Sequence, residues 1–254
     1  MDFDVKGWLR AQQVDAELYS ADDLIAAFIE EMEAGLAQSG AGSLEMIPAY
    51  VGTDREVPRG QPVAVIDAGG TNLRSGLATF DADGGLLLSA FTTQPMLGSQ
   101  GELSGEAFYG ALADAIADTI DQADAIGFCF SFPAEITPDG DGRLLHWTKE
   151  IEAPEVVGDC VGAGLLRALV ARGHAGKRVI VLNDTVAALL AGMAHGQAFG
   201  ASSYVGFILG TGTNTAYVER NANIGKVPGL DPAGAQVINV ESGGFARFAR
   251  GPLD

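Results

Sequence analysis

The order of apolar and polar residues divides the chain into a helical start and a longer part built from short strands and helices. Between residues 24 and 32, apolar side chains recur at the three- and four-residue spacing of one helix face. Ser20 is a typical N-cap residue and Asp23 stands at the capping-box position, so this helix is predicted to begin there and to end by Gly40. A loop rich in proline and glycine, residues 48–62, is expected to separate this helix from the first strand.

After residue 62, short apolar runs typical of strands alternate with helical segments. The predicted strands cover residues 63–67, 73–80, 86–91, 126–131, 179–183, 205–209, 215–219 and 237–240. The predicted helices cover residues 106–120, 161–171 and 185–195. Strands that alternate with helices indicate an α/β fold. The predicted hairpins around Gly69 and Gly212 are alike in design, which is compatible with an internal duplication of a βββαβα unit.

The charge and composition of the chain limit its partners. With 33 acidic against 15 basic residues, the formal net charge is −18, so neither nucleic acid nor an anionic membrane is expected as a partner. No apolar run approaches the ~18 residues of a membrane span, and the first residues lack the features of a signal peptide, so we expect a cytoplasmic protein. Cys129 lies in an apolar run and is interpreted as a reduced thiol rather than as half of a disulfide with Cys160. No His or Cys spacing predicts a metal site.

The segment DAGGTNLR, residues 67–74, comes at the end of a predicted strand and has the features of a phosphate-binding turn. Its paired glycines allow a turn that side chains would block, and the backbone N–H groups of such a turn can face phosphate oxygens. The carboxylate of Asp67 could hold the water shell of Mg²⁺, while no direct metal ligand is predicted. An ordinary hairpin turn accounts for the glycines equally well. The candidate phosphate-binding residues are Asp67, Gly69, Gly70, Thr71, Asn72 and Arg74.

The segment GTGTN, residues 210–214, offers a second turn of the same kind between two predicted strands. Two such turns could hold a phosphate chain from both sides. Taken alone, GTGTN is better explained as an ordinary hairpin. Its candidate phosphate-binding residues are Gly210, Thr211, Gly212 and Thr213.

Asp184 comes after a buried strand and precedes a predicted helix in the segment LNDT, residues 182–185. A carboxylate in this position lies at the carboxyl edge of a sheet, where open α/β folds bind ligands. It could accept the proton of a substrate hydroxyl group as that oxygen attacks a phosphorus atom. The alternative, that Asp184 only caps the helix, is at least as well supported by the local sequence.

Polar side chains in the same motifs could bind a sugar, because they offer the hydrogen-bond donors and acceptors that sugar hydroxyl groups need. These candidates are Ser131, Thr148, Lys149, Asn183, Asn214 and Glu241. His146 is interpreted as an ordinary loop residue and Trp147 as a packing residue.

Taken in order, the segments DAGGTN, FSFP, WTK, NDT, GTGTN and NVE resemble the hexokinase family of the actin-like ATPase superfamily. The resemblance extends over nearly the whole chain. It implies a two-lobe α/β fold of the ribonuclease H-like type in which the second lobe is incomplete. Residues 1–61 would be a helical segment packed on the large lobe, residues 62–183 the small lobe, and residues 184–254 the start of the large lobe.

The resemblance also implies a reaction, the transfer of the γ-phosphoryl group of MgATP to the 6-hydroxyl group of a hexose. Asp184 would then be the base, the six polar candidates would bind the sugar, and the two glycine turns would bind the phosphates. The implied cofactors are ATP and Mg²⁺, and the implied partners are a hexose and MgATP.

The chain departs from the family pattern in two respects. Ser242 stands where the family usually has tryptophan, and no segment matches the family's second sugar-binding glutamate, adenosine motif or closing helix. We therefore expect either the N-terminal portion of a longer enzyme or a truncated relative. Its incomplete large lobe would favour self-association or association with the missing portion.

Two other interpretations stay open. A non-catalytic sugar-binding or regulatory protein could keep most of the sugar contacts without an adenine site. A glucokinase of the repressor–kinase family has a similar glycine turn, but it also carries a cysteine-rich zinc motif that two widely separated cysteines do not match. The sequence does not choose between glucose, mannose, fructose and glucosamine, which differ by hydroxyl positions that the same few residues contact.

Overall fold

Two large β-sheets, a two-stranded hairpin and the helices that pack on them make up the computed structural model, which describes residues 3–52, 58–148, 150–196, 200–210, 212–247 and 252. The helices are α1 (Val5–Ala11), α2 (Ala21–Ala37), α3 (Gly105–Ala115), α4 (Val161–Ala171) and α5 (Asp184–Gly196). The strands are β1 (Ile47–Gly52), β2 (Val63–Ala68), β3 (Asn72–Phe80), β4 (Leu86–Pro95), β5 (Ala125–Phe130), β6 (Ala134–Ile136), β7 (Gly142–Leu144), β8 (Arg178–Leu182), β9 (Val205–Leu209), β10 (Thr213–Arg220) and β11 (Ala235–Asn239). Within these ranges, no helix is both long and apolar enough to cross a membrane.

The first sheet has five strands in the order β4–β3–β2–β5–β8. Strands β2, β3 and β4 pair antiparallel, whereas β2, β5 and β8 run parallel. On one face, side chains such as Ile66 and Phe128 are buried in the same apolar cluster as Phe108 of α3 and Leu165 of α4. Because β2, β5 and β8 are parallel, the residues beyond their carboxyl ends meet at one edge of this sheet.

The second sheet has four antiparallel strands in the order β1–β11–β10–β9. Helix α5 packs on one face, where Val186 and Leu189 join Ala216 and Val237 in one apolar cluster. Helix α2 packs on the other face through a cluster that includes Leu36 and Ile238. A small hairpin of β6 and β7 completes the described strands.

The structure confirms the N-terminal cap and corrects the expected loop. The Ser20 hydroxyl accepts a hydrogen bond from the Asp23 backbone N–H at 3.3 Å, as the sequence predicted. The loop prediction for residues 48–62 was wrong at its start, because β1 forms there and pairs with β11. Pro48 is compatible with this strand because β1 lies at the edge of its sheet.

Two smaller differences concern the segments around the first sheet. The helix predicted over residues 106–120 ends at Ala115, and a 3-10 helix is found at Ile120–Gln122. The β6–β7 hairpin was not predicted, because its strands are only three residues long. The division of the chain at residues 61 and 183 stays a prediction.

Candidate active site

The first glycine turn lies between β2 and β3, and it holds an exposed ion pair. Asp67 and Arg74 stand opposite each other in the antiparallel register, and Arg74 Nη1 lies 2.8 Å from Asp67 Oδ2. The Gly69 backbone N–H donates to the Asn72 carbonyl oxygen at 3.0 Å. A Cβ atom on Gly69 would come 3.2 Å from that oxygen, so the tight closure of this turn leaves little space for a side chain.

The half-buried thiol of Cys129 lies beside this turn. Cys129 stands opposite Asp67 in the parallel register of β2 and β5. Burial raises the pKa of the Cys129 thiol, and the negative charges of Asp67 and Asp184 raise it further. Both cysteines are unpaired thiols, which agrees with the interpretation from sequence. The two carboxylates therefore face the same small region at the carboxyl edge of the first sheet.

Asp184 begins helix α5 directly after β8 and Asn183. The Thr185 backbone N–H donates to Asn183 Oδ1 at 2.8 Å and to Asp184 Oδ1 at 2.7 Å. Both side chains therefore contribute to capping the helix. Capping accounts for Oδ1 of Asp184 but not for its other carboxylate oxygen. Among the described residues, Asp184 Oδ2 has no hydrogen-bond partner, so this oxygen can face a ligand.

Asn214 and Glu241 are held together by a third side chain, Asn239. Asn239 Nδ2 donates to Glu241 Oε1 at 2.7 Å, and Asn214 Nδ2 donates to Asn239 Oδ1 at 2.8 Å. Asn214 Nδ2 also lies 3.3 Å from Glu241 Oε1. Glu241 has a positive φ of 56°, a left-handed conformation that is costly for a residue with a side chain and is often found at functional sites.

A cavity of about 340 Å³ lies between the two sheets; Glu241 lines it, whereas Asp184 and Asn214 adjoin lining residues without being among them. Its wall includes Asn183, Asn239 and Glu241, together with Phe132 and His146. The wall is therefore apolar over much of its area and carries a few polar groups, as is usual for a ligand site. Asn239 and His146 were not among the candidates from sequence, although Asn239 lies two residues before Glu241 in the motif NVE.

Two of the three remaining sugar candidates, Ser131 and Thr148, are not among the residues that line the cavity. The Ser131 backbone N–H donates to the Ala68 carbonyl oxygen at 3.1 Å, which places Ser131 next to the end of β2. Thr148 is half-buried and comes directly after Trp147, whose Nε1–H donates to the Ala153 carbonyl oxygen at 2.7 Å. Trp147 packs against Phe132, with ring centroids 4.8 Å apart, as expected of a packing residue. Lys149 lies outside the described residues.

The remaining phosphate candidates occupy the two turns. Gly70, Thr71 and Asn72 line a depression of about 540 Å³ on the first turn. In the second turn, the Gly210 backbone N–H donates to the Gly212 carbonyl oxygen at 2.8 Å, and Thr213 begins β10. Thr211 lies outside the described residues. In the described part of the chain, no group of three or more His, Cys, Asp and Glu side chains could hold a metal ion directly.

Family models match the chain over almost its full length. A model described as hexokinase matches residues 10–194, and a second hexokinase model matches residues 204–254. The chain belongs to the hexokinase family. The resemblance seen in the sequence motifs is thereby confirmed.

Relatives from the hexokinase family are similar in sequence and in structure. The chain is 35% identical to hexokinase-1 of Oryza sativa subsp. japonica, over 93% of this chain and 51% of the rice protein. It is 36% identical to hexokinase-7 of the same species, over 89% of this chain and 50% of that protein. A solved structure of hexokinase from Schistosoma mansoni complexed with glucose matches with a TM-score of 0.74 and 27% identity, over 93% of this chain and 54% of that chain. The chain therefore spans about half the length of the relatives it matches, and its α/β fold is part of the actin-like kinase fold.

Ser242, which departs from the usual tryptophan of the hexokinase family, contacts the sugar candidates through its backbone. Its N–H group lies 3.3 Å from Asn214 Oδ1. Its hydroxyl oxygen is buried and has no hydrogen-bond partner in the described ranges. The substitution therefore leaves the loop attached to Asn214 while it removes the bulk of an indole ring.

Proposed function

We propose that this protein is a hexokinase that transfers the γ-phosphoryl group of MgATP to the 6-hydroxyl group of a hexose. The observation that carries the proposal is the position of Asp184. Its Oδ2 atom is unengaged by the described residues, and Asn183 and Glu241 line the adjoining cavity. A sugar in this cavity would meet amide and carboxylate groups that match its hydroxyl groups, next to a carboxylate that can accept a proton.

On the sugar side, the proposed reaction needs a fixed hydroxyl group and a base. Asn183, Asn214 and Glu241 would orient the hexose by hydrogen bonds, while Asp184 takes the proton of the 6-hydroxyl group. The hydroxyl oxygen then attacks the γ-phosphorus atom, and the bond from that atom to the bridging oxygen of the leaving ADP breaks. Correct placement of the two reacting atoms accounts for a large part of such a rate enhancement.

On the phosphate side, the two glycine turns would hold the nucleotide phosphates. Backbone N–H groups of the turns at Gly69 and Gly212 can donate to phosphate oxygens, and the Arg74 guanidinium adds positive charge. In a chain with a net charge of −18, a cation at this position would reduce the repulsion of the nucleotide.

The residues present fit a hydrated Mg²⁺ ion better than a directly bound one. Asp67 is 38% exposed at its side chain and lies at the mouth of the first turn, so its carboxylate can face the ion's water molecules while it pairs with Arg74. When bound with the nucleotide, Mg²⁺ would neutralise charge on the phosphate oxygens.

The proposal is tested by hexose-dependent ADP formation with the purified 254-residue chain and MgATP. Glucose, mannose, fructose and glucosamine are compared, beside an Asp184→Ala variant. We expect activity in the native chain and a loss of about 10²–10⁴-fold in the variant, the usual contribution of general-base catalysis. Hexose affinity, measured by calorimetry, should change only several-fold, because the base acts mainly in the transition state.

The two measurements separate the proposal from its alternatives. Hexose binding without ADP formation would indicate a non-catalytic sugar-binding protein. Loss of hexose affinity together with activity in Asp184→Ala would assign Asp184 a ligand or structural role. If the native chain neither binds a hexose nor forms ADP, the proposal is contradicted.

A further inference from the structure

Asn239 is a buried amide that joins two residues of the candidate sugar site. It is only 4% exposed and ends β11, where it pairs with Ala216 of β10 and Ile47 of β1. Its Nδ2 group donates to Glu241 at 2.7 Å and its Oδ1 atom accepts from Asn214 at 2.8 Å. Both the NH₂ group and the oxygen of this amide are therefore hydrogen-bonded to side chains that line or adjoin the cavity.

The direction of these hydrogen bonds is fixed by the neighbouring groups. Asn214 Oδ1 accepts from the Thr215 backbone N–H at 2.8 Å, so the Nδ2 group of Asn214 must point toward Asn239. A flipped Asn239 would place its NH₂ group against that of Asn214 and its oxygen against the Glu241 carboxylate. Both contacts would be repulsive, so the network permits one orientation.

We propose that Asn239 is a positioning residue for the hexose site, which it serves by fixing the side chains of Asn214 and Glu241. This inference rests on the proposed function. Asn239 engages Oε1 of Glu241 and so turns Oε2 toward a bound ligand. Glu241 has a left-handed backbone, a conformation that persists only where the surrounding structure holds it, and the contact with Asn239 is part of that surrounding structure.

The decisive variant is Asn239→Asp, which keeps the size of the side chain and replaces the NH₂ donor with a second carboxylate oxygen. At neutral pH this oxygen repels Glu241, so the carboxylate should turn away from its native position. We expect hexose affinity to fall about tenfold to hundredfold, the usual size of a lost charge-assisted hydrogen bond. Affinity is measured by calorimetry and global stability by urea unfolding.

Gln236→Glu is a matched control, because it makes the same change from amide to acid on the same strand. Gln236 is also 4% exposed, but its partners are the Tyr50 backbone N–H and Asn221, away from the cavity. We expect this variant to lose stability and to keep the hexose affinity of the native chain. An equal loss of affinity in both variants would overturn the positioning role.

A pH series adds a readout that a purely structural role would not move. In Asn239→Asp, the new carboxyl group and Glu241 are close enough to share one proton, as paired carboxylates do. Once protonated, the new group can donate to Glu241 again, so the variant should recover affinity relative to the native chain as the pH falls from about 7 to about 5. Glu45 and His146 also line the cavity in both proteins, so the ratio of the two affinities is the quantity to measure.

A second variant, Asn239→Ser, keeps the test decisive if Asn239→Asp does not fold. A hydroxyl group at this position can serve one of the two partners but cannot reach both, so an intermediate loss of affinity is expected. Native affinity in both variants would overturn the inference and leave the proposed function standing. Absence of hexose binding by the native chain would instead overturn the proposed function, and this inference with it.

Discussion

Gly243 lies against Thr213, so closely that a Cβ atom on Gly243 would come 2.7 Å from the Thr213 carbonyl oxygen. Gly243 belongs to the 3-10 helix Ser242–Gly244, directly after Glu241, and Thr213 begins the strand after the second glycine turn. The loop that carries the proposed sugar-binding carboxylate and the turn proposed to hold phosphate are therefore in direct backbone contact. A shift in one of them must displace the other.

Gly243→Ala should disturb both substrate sites at once. The added methyl group meets backbone rather than a flexible side chain, so we expect a destabilisation of about 1–3 kcal/mol and a several-fold rise in KM for both hexose and ATP. Steady-state kinetics and urea unfolding measure the two effects. Gly192→Ala is the control, because a Cβ atom there meets nothing within 4 Å and alanine favours the helix. A rise in KM for the hexose alone would contradict the proposed coupling.

Most strands of the two sheets could be predicted, because they are short apolar runs bounded by polar or glycine-containing segments. The end of β8 is an example, since LNDT closes an unbroken apolar run and Asp184 does begin a helix. Strand β1 was missed because its stability comes from pairing with β11, which lies far along the chain. The local sequence of that region, with its prolines and glycines, carries no sign of the partner strand.

The role of Asn239 was missed for the same kind of reason. Its contact with Asn214 depends on the register of β10 and β11, in which Asn239 stands opposite Ala216. The sequence placed Asn214 and Glu241 in separate motifs and could not show that one amide joins them. His146 lines the cavity because the segment that follows β7 passes along it. No local sequence pattern predicted the course of that segment.

Trp147 should contribute strongly to the stability of the apolar cluster on the first sheet. Its ring packs against Phe108, Phe130 and Phe132, and its Nε1–H is hydrogen-bonded. We expect Trp147→Ala to lower the free energy of unfolding by about 3–5 kcal/mol, measured by urea unfolding. Trp8→Ala, at a position that is 42% exposed, should cost far less. Equal losses in the two variants would argue against this packing.

Glu31 should make the stability of the fold depend on pH. Hydrogen bonds from the Ser43 backbone N–H and hydroxyl group, together with Arg247, hold the pKa of Glu31 below its ordinary value. The ionised side chain therefore stabilises the folded chain above the ordinary pKa of about 4.3, and this contribution is lost as the pH falls through the lowered folded value.

The variant Glu31→Gln tests this effect. Native chain and variant should differ most in unfolding free energy near pH 7, and the difference should shrink as the pH approaches about 3. Glu33→Gln changes an exposed carboxylate two residues away on the same helix and serves as the control. A difference that stays constant across this pH range would show that Glu31 does not act through its charge.

The edge strand β9 should make the chain prone to self-association. Val205, Phe207 and Leu209 are 70%, 58% and 73% exposed on one face of this strand. An edge strand with an exposed apolar face is a template for pairing with another chain. We expect light scattering to show association that grows with concentration and that Phe207→Lys suppresses. Val170→Lys, which replaces a similarly exposed residue on α4, should not suppress it; a native chain that stays monomeric would refute the expectation.

The path of the chain between its two sheets has a consequence for the two proposed phosphate-binding turns. Strand β1 belongs to the second sheet, β2 to β8 include all strands of the first, and the chain returns to the second sheet directly after β8, at Asn183. Asp184 therefore lies where the chain passes from one sheet to the other. The first glycine turn joins two strands of the first sheet, and the second joins two strands of the second sheet. A rotation of one sheet against the other would therefore change the distance between the two turns, and with it the span of phosphate chain that both could hold.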